Sequence, residues 1–251
     1  MDDDLRRVHR FEREIELAGT ETVESPLGAG VLTPELPQRH DSNYLLLDRA
    51  ANAYEAIGEA DRILGGAALA HRVILTFDDQ LAWRLMPEFQ ALGWLINRHV
   101  LMAQRRRPEK HADLSIVREV DESALRPGRM RAILAQPWGT PELARQLLDS
   151  KVMLAERAQT RFFGVEVDGE IVAWSDLYVA QGVGQVEDVA TAPEHRGKGY
   201  ATAVVLRAVD EARRAGADLV FLVADDHDWP KKLYARLGFD PIGRIHKFIR
   251  P

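Results

Sequence analysis

VEDVATAPEHRGKGYA, residues 186–201, is the stretch of this 251-residue chain that decides the fold. It begins as an apolar strand, turns at Pro193 and becomes a glycine-rich helix start at Gly197 and Gly199. Glycine has no Cβ atom, so the backbone can approach a ligand, and the first turn of a helix offers unpaired N–H groups with the positive end of the dipole behind them. Arg196 and Lys198 add local positive charge. The stretch predicts a cradle for an anion such as a pyrophosphate.

Two other phosphate loops are excluded by the same residues. A Walker loop needs Gly-x-x-x-x-Gly-Lys followed by Ser or Thr, and a dinucleotide-binding fingerprint needs a third glycine and a later acidic residue. Downstream, one apolar stripe predicts a helix from Gly197 to Ala215 that stops at Gly216. A strand over 219–223, a short helix over 231–237 and a closing strand over 242–249 follow.

Composition narrows the function classes. The chain has 33 basic and 39 acidic residues, a net charge of −6, so no global positive field draws it to nucleic acid or to a membrane. It has no cysteine, which excludes disulfides, thiolate metal sites and cysteine nucleophiles. No metal site is predicted. No apolar run approaches the ~18 residues of a membrane span, and we expect a cytoplasmic protein.

An arginine-rich run and an internal repeat divide the chain. Residues 104–110, QRRRPEK, interrupt the pattern of strands and helices and predict a linker. Residues 73–79 match residues 220–226, and the triplets at 92–94 and 237–239 both read Leu-Gly-aromatic. Matching order and spacing favour a duplication. We therefore predict two α/β (α+β) domains, 1–106 and 112–251.

Residues 112–185 complete the second predicted domain. Alternating residues predict a strand over 114–120, two helices flank Pro137-Trp138-Gly139, and a hairpin turns at Asp168-Gly169.

Two motifs at this separation resemble the GNAT acyltransferase superfamily. Arg196-x-x-Gly199-x-Ala201 matches its Arg/Gln-x-x-Gly-x-Gly/Ala signature, and residues 233–239, LYARLGF, match its Leu-Tyr-x-x-Leu-Gly-Phe close. The resemblance covers about residues 112–251. It implies a mixed, mostly antiparallel sheet flanked by helices, with acetyl-CoA held where the fourth and fifth strands separate. The two domains would then be tandem GNAT-like folds.

The resemblance assigns the donor site residue by residue. Val189, Ala190 and Thr191 correspond to strand positions whose backbone groups pair with the pantetheine arm of acetyl-CoA. Tyr234 falls where family members place the general acid that protonates the departing CoA thiolate. A phenol of pKa about 10 can return a proton to the thiolate of a thiol of pKa about 8.5. The pyrophosphate loop corresponds to Arg196, Gly197, Lys198, Gly199, Tyr200 and Ala201.

The general base has two candidates. An amine of pKa about 10 must lose a proton before it attacks, so a carboxylate near the end of the pairing strand is expected, directly or through water. Glu187 is preferred because several family members carry glutamate there, while Asp188 stays open. Neighbouring residues alternate faces in a regular strand, so only one of the two is expected to face the substrate. Trp174, Asp176 and Tyr178 are candidates to face a cationic or aromatic acceptor.

The first half keeps the repeat and loses these functional residues. Arg196, Gly199 and Ala201 correspond to Arg49, Asn52 and Tyr54. Asn52 and Tyr54 are expected to fill the space that a pyrophosphate needs. Phe89, which has no proton to give, stands at the position of Tyr234.

The sequence thus predicts an acetyl-CoA-dependent N-acetyltransferase. An amine attacks acetyl-CoA directly in a ternary complex, because the absence of cysteine removes a cysteinyl acyl-enzyme. Two alternatives stay open, a non-catalytic acyl-CoA-binding or regulatory module and a protein N-acetyltransferase. The amine acceptor is not identified, and a monomer and a homodimer both remain open.

Overall fold

The computed structural model describes residues 3–250, which divide into two compact units. The C-terminal unit contains residues 3–11, 102–223 and 229–241, and the N-terminal unit contains residues 12–101, 224–228 and 242–250. Helix α1 (Asp3–Phe11) belongs to the C-terminal unit and runs on into a π-helical turn, Glu12–Glu16. Each unit therefore takes in residues from the far end of the chain.

The N-terminal unit is a mixed sheet with helices. The pairs β1–β2 and β2–β3 are antiparallel, while β3–β4 is parallel. The elements, in chain order, are β1 (Glu21–Ser25), β2 (Gly28–Leu32), β3 (Tyr44–Leu47), α2 (Ala53–Ala60) with a following π-helical turn (Asp61–Gly65), β4 (Arg72–Thr76), α3 (Asp79–Ala91) and β5 (Leu95–Gln104).

The C-terminal unit repeats this arrangement with one additional strand and two additional helices. Strands β6 to β9 pair antiparallel in sequence order, and β9 pairs parallel with β10. The elements are β6 (Val117–Val120), α4 (Glu122–Leu134), α5 (Pro141–Arg157), β7 (Gln159–Val167), β8 (Glu170–Ala180), β9 (Val183–Thr191), α6 (Tyr200–Arg214), β10 (Leu219–Asp225), α7 (Pro230–Arg236) and β11 (Phe239–Arg250).

Helices cover both faces of the C-terminal sheet. The Ser175 hydroxyl donates to the carbonyl of Val204 on α6 at 3.2 Å. The next residue, Asp176, accepts a hydrogen bond from Lys151 on α5 at 2.9 Å. Because consecutive strand residues point to opposite faces, α6 lies on one face and α5 on the other. This confirms the predicted mixed, mostly antiparallel sheet flanked by helices.

The last strand supplies the N-terminal core. Residues 246–250 of β11 pair antiparallel with β4, with Phe248 opposite Ile74. Phe248 is fully buried and stacks on Phe89, with ring centroids 4.2 Å apart. Burying an aromatic ring of this size stabilises a core by roughly 2–3 kcal/mol. The closing strand is therefore part of the N-terminal unit's core.

The two units share one order of elements. Strand, strand, strand, helix, strand, helix, strand describes β1 to β5 with α2 and α3, and equally β7 to β11 with α6 and α7. The parallel pair falls at the same place in both. This agreement supports a duplication, while the boundaries 1–106 and 112–251 stay a prediction. None of the helices within residues 3–250 is both long and apolar enough to cross a bilayer.

The predicted linker is fixed to the C-terminal unit. The backbone N–H groups of Arg105 and Arg106 donate to the carbonyl of Gly238 at 3.0 and 3.1 Å. The guanidinium of Arg106 also donates to Asp240 at 2.9 Å and to the carbonyl of Ala235 at 2.8 Å. The charged run is anchored by these contacts to α7 and to the start of β11.

The strand predicted over 114–120 is half wrong. Leu114–Ile116 forms a 3-10 turn, and the strand begins only at Val117. Asp113 causes the turn, because its carboxylate accepts from the Ser115 N–H at 2.9 Å and from the Ser115 hydroxyl at 2.6 Å. Such local hydrogen bonds compete with strand pairing.

Candidate functional site

Strand β9 extends beyond the end of its pairing with the parallel strand β10. The pairing with β10 runs from Val183 opposite Leu219 to Val186 opposite Leu222, whereas β9 continues to Thr191. Among the described residues, 188–191 have no partner on β10, and their side chains are half-buried. Backbone groups on this edge are available to an extended ligand. The gap lies where the sequence predicts that the strands separate.

A β-bulge interrupts β9 inside this gap. Trp174 of β8 pairs with Ala190, and Asp176 pairs with Glu187, so β9 holds one more residue than β8 between the two pairs. Asp188, in the bulge, has φ +52, in the left-handed region that few residues other than glycine adopt. The bulge distinguishes this segment from the regular strand that its sequence pattern predicts.

The bulge corrects the expectation that only one of Glu187 and Asp188 faces the acceptor side. Glu187 lies opposite Asp176, so the two side chains share the face that carries α5. The Asp188 carboxylate lies 2.7 Å from the Arg129 guanidinium of α4, which also contacts Asp176. Both candidates therefore point to one face, because the extra residue shifts the alternation.

The glycine loop leads from β9 into α6. Gly197 and Gly199 have φ +77 and +85, and a Cβ built on either would meet none of the described atoms within 4 Å. Gly199 is the N-cap of α6 and supplies no side-chain cap. The first helical hydrogen bond runs from the Ala203 N–H to the Gly199 carbonyl at 3.1 Å. The preceding amides of Tyr200 and Ala201 belong to the turn that offers N–H groups to an anion.

The loop's cations lie at the surface. The exposed Arg196 guanidinium donates to the Thr191 carbonyl at 3.3 Å, which ties the loop to the end of β9. Lys198 Nζ lies 3.4 Å from His195 Nδ1, and the His195 ring stacks on Tyr200 with centroids 6.5 Å apart. The structure thus brings the predicted loop residues together around the open helix start.

Tyr234 lies on α7, the helix after β10. Its side chain is 7% exposed and meets the Phe239 ring edge to face at 6.4 Å. Pro230 at the first position of α7 sets the helix start, since its fixed φ suits that position. Burial of the ring holds the phenol in a defined orientation.

The matching helix start in the N-terminal unit is closed by side chains. Asn52 caps α2 by accepting from the Glu55 N–H at 2.9 Å, and the Glu55 carboxylate accepts from the Asn52 N–H at 3.0 Å. The Glu88 carboxylate accepts from the Ala53 N–H at 3.1 Å. Tyr54, expected to fill the pyrophosphate space, instead points outward with 70% of its surface exposed. Closure is therefore electrostatic, with carboxylates where an anion would bind.

A buried charged cluster supports the bulge and was missed by the sequence reasoning. Asp176 is fully buried, and its carboxylate binds Arg129 of α4 and, at 2.9 Å, Lys151 of α5. The Tyr178 hydroxyl, also fully buried, donates to Asp176 at 2.7 Å. Residues this deep cannot line an acceptor surface, so the predicted role for Trp174, Asp176 and Tyr178 is wrong: Trp174 is only 3% exposed. A carboxylate inside an otherwise apolar strand was the available signal, because buried charges need partners.

Asp188 is the member of this cluster that reaches the surface. Loss of hydration raises the pKa of its carboxyl group above the usual 3.8, and the neighbouring carboxylate of Asp176 raises it further. Lys151 and Arg129 act in the opposite direction. A third of the Asp188 side chain is exposed, in contrast to Asp176. The charge of Asp188 is therefore controlled by groups behind the sheet.

Comparison with known proteins identifies the C-terminal unit. The model of the Acetyltransferase (GNAT) family matches residues 127–239, which contain the bulge, the glycine loop and Tyr234. These residues are similar to the GNAT acetyltransferase family. A curated relative, the uncharacterized N-acetyltransferase YobR of Bacillus subtilis (strain 168), is 32% identical over 90 residues. That match spans 36% of this chain and 36% of YobR, about a third of each protein.

Solved structures extend the likeness of the GNAT fold to the whole chain. A GCN5-related N-acetyltransferase from Kribbella flavida has a TM-score of 0.64 at 19% identity, covering 100% of this chain and 96% of its own. A conserved protein of unknown function from Staphylococcus epidermidis ATCC 12228 has a TM-score of 0.70 at 16% identity, covering 91% and 92%. At these identities the likeness shows the fold alone.

Proposed function

We propose that this protein is an acetyl-CoA-dependent N-acetyltransferase that transfers an acetyl group to an amine. The observation that carries the proposal is the uncapped start of α6 beside a bulged strand edge that β10 leaves unpaired. One element suits a pyrophosphate, and the other suits an extended amide chain. The family match of residues 127–239 supports acetyl transfer.

The residues at the end of β9 and in the glycine loop suit acetyl-CoA as the acetyl donor. Backbone groups of Val189, Ala190 and Thr191 would pair with the pantetheine amides, because this edge of β9 has no strand partner on β10 within the described residues. The loop from Arg196 to Ala201 would hold the pyrophosphate, and its open space at Gly197 and Gly199 admits phosphate oxygens next to the backbone. The net charge of −6 makes this local device necessary.

The proposed chemistry is direct attack. Glu187 accepts a proton from the amine, whose nitrogen then attacks the thioester carbonyl carbon. As the tetrahedral intermediate collapses, the C–S bond breaks and the thiolate takes a proton from Tyr234. The nitrogen loses its second proton as the amide forms, and this proton returns to Tyr234 through water. Each proton transfer by a positioned group typically contributes about 10²- to 10⁴-fold to the rate.

Glu187 remains the preferred base over Asp188. The Asp188 carboxylate is bound to Arg129 at 2.7 Å, which occupies one oxygen and opposes protonation. Glu187 accepts a hydrogen bond from the Gln185 amide at 3.2 Å, and this donor carries no charge. A carboxylate held this way can exchange a proton with an amine or with a bridging water.

The test is an amine and peptide panel assayed by CoA release. Wild type is compared with Tyr234→Phe and Glu187→Gln, and acetyl-CoA binding is measured alongside. We expect turnover with at least one amine, a loss of kcat of about 10²-fold or more in both variants, and little change in the Kd of acetyl-CoA.

Other outcomes identify the rival functions. Saturable CoA binding without turnover on any amine or peptide would indicate an acyl-CoA-binding or regulatory module. Turnover on peptides alone would indicate a protein N-acetyltransferase. Unchanged kcat in Tyr234→Phe would remove Tyr234 from the proposed mechanism.

A further inference from the structure

Arg129 joins two carboxylates of neighbouring strands. Its Nη2 binds the Asp176 carboxylate of β8, and its Nε lies 2.7 Å from Asp188 Oδ2 in the bulge of β9. Its Nη1 lies 3.6 Å from Glu122 at the start of α4. One planar guanidinium, 2% exposed, therefore spans the place where the strand pairing is interrupted.

Helix α4 is shaped to bring Arg129 this close. Gly128 precedes it, and a Cβ built there would lie 3.1 Å from Cζ3 of Trp174 on β8. A larger residue here would be in tighter than ordinary contact with Trp174, whose ring would have to shift by a few tenths of an ångström. The approach allows a side chain of α4 to reach past Asp176 to the bulge.

The bulge needs an external support. Asp188 adopts φ +52, a conformation that disfavours residues with a Cβ atom and persists where the surroundings impose it. Arg129 Nε contacts Asp188 Oδ2 at 2.7 Å, and Lys151 Nζ, bound to Asp176 at 2.9 Å and to Tyr178 Oη at 3.1 Å, lies 3.9 Å from the same Asp188 oxygen. These contacts hold Asp188 from the side of the helices.

We propose that Arg129 is a positioning residue, which holds Asp188 in its left-handed conformation and so fixes the backbone between Glu187 and Val189. This inference rests on the proposed acetyl transfer, because those two positions flank the bulge and carry the proposed base and the donor contact. Arg129 does not touch the reacting atoms; it acts through Asp188. The family match covers Arg129 without assigning it a role.

A double-mutant cycle tests the proposal in the full-length protein. Arg129→Lys keeps a positive charge but cannot span both carboxylates, because an ammonium is a single point charge. Glycine adopts positive φ without support, so Asp188→Gly makes the bulge independent of Arg129. Kinetics are measured for wild type, Arg129→Lys, Asp188→Gly and the double variant.

We expect Arg129→Lys to lower kcat about ten- to a hundred-fold, as small misplacements of reacting groups do. The KM for acetyl-CoA should rise by a smaller factor than kcat falls, because the glycine loop is untouched and only the donor contact at Val189 is disturbed. In the Asp188→Gly background the same Arg129→Lys change should alter kcat by less than about two-fold. Arg126→Lys, on the same helix and paired with Asp149 at 2.6 Å, is the matched control and should keep wild-type kinetics.

A second readout does not depend on turnover. Amide hydrogen exchange of residues 187–190 should be faster in Arg129→Lys than in wild type and equal in the two Asp188→Gly proteins. If the wild-type protein acetylates no amine, the proposed function fails. The exchange pattern still tests whether Arg129 holds Asp188 in its left-handed conformation. If Arg129→Lys does not fold, Asp188→Ala replaces it: alanine disfavours positive φ and lacks the carboxylate, so kcat should fall below that of Asp188→Gly.

Three results would overturn the proposal. The first is a folded Arg129→Lys protein with wild-type kcat and wild-type exchange at residues 187–190. The second is an equal loss of kcat from Arg129→Lys with and without Asp188→Gly. The third is equal kcat in Asp188→Ala and Asp188→Gly.

Discussion

The starts of helices α2 and α6 occupy the same place in the two units and differ in what meets their amide groups. At α6, Gly199 leaves the first turn without a side-chain cap and with open space around both loop glycines. At α2, Asn52 and Glu55 form a capping box and Glu88 binds the next amide. The first arrangement invites an anion, and the second already holds two carboxylates. One scaffold thus leaves the helix start open in one unit and closes it with a structural contact in the other.

The second difference lies where the units carry buried charge. The C-terminal unit places an arginine, a lysine and two carboxylates behind its functional strand. The N-terminal unit pairs its buried Arg39 with Glu16 at 3.1 Å, and in addition it buries His71, whose ring Nε2 donates to the Asn43 carbonyl at 3.1 Å. These contrasts can be tested one at a time.

The largest expected effect comes from placing asparagine, the N-cap residue of α2, at the start of α6. Gly199→Asn introduces a residue that tolerates the left-handed conformation and places its side-chain amide in the open space at the α6 helix start. We expect the Kd of CoA to rise about ten- to a hundred-fold while the melting temperature stays equal or rises. Binding is measured by calorimetry.

Gly216→Asn is the matched control for that change. Gly216 follows the other end of the same helix at φ +88, with none of the described atoms within 4 Å of a built Cβ. This variant should bind CoA as wild type does. Equal affinities of the two variants for CoA would mean that the start of α6 is not the anion site.

Acid should affect the N-terminal unit through His71. Burial, with a smaller contribution from His40, lowers the pKa of His71 from 6.5 to about 4. Between pH 6.5 and about 4, His71 is protonated in the unfolded chain but stays neutral in the folded protein. The free energy of unfolding therefore decreases as the pH falls through this range. The loss in the free energy of unfolding is about 2–3 kcal/mol.

Urea unfolding at pH 7 and at about pH 4.5 measures this loss. His71→Gln can still donate to Asn43 and has no proton equilibrium, so its stability should fall less over this range. His111→Gln changes an exposed ring and serves as control. The same pH dependence in His71→Gln as in wild type would contradict the assignment.

The smallest effect is expected at the start of α2. Asn52→Ala removes the cap and should lower the free energy of unfolding by about 1 kcal/mol. It should leave the Kd of CoA unchanged, because α2 offers no anion site. A weaker affinity for CoA in this variant would show that the N-terminal helix start contributes to binding.

The sequence predicts the elements of the site better than their surroundings. The glycine loop, α6 and the hairpin at Asp168-Gly169 follow from local signals, namely glycine spacing, apolar periodicity and turn residues. The β9 bulge does not, because alternation assumes a regular strand and nothing in residues 186–191 marks an extra residue.

The sequence also did not predict which residues distant along the chain contact each other in the fold. Arg129 lies 47 residues from Asp176 along the chain, and only the approach of α4 to the sheet joins them. Likewise, the closing strand is recognisable as a strand, but its pattern does not say that residues 246–250 pair with β4. Long-range contacts depend on packing that single-sequence periodicity does not encode.

The number of acetyl-CoA molecules bound per chain tests the central claim most directly. Calorimetric titration of the full-length protein should give one site, with affinity strongly reduced in Gly199→Asn and unchanged in Asn52→Ala. Two sites per chain, or one site that is lost in Asn52→Ala and kept in Gly199→Asn, would contradict the account that only the C-terminal unit retains the donor site.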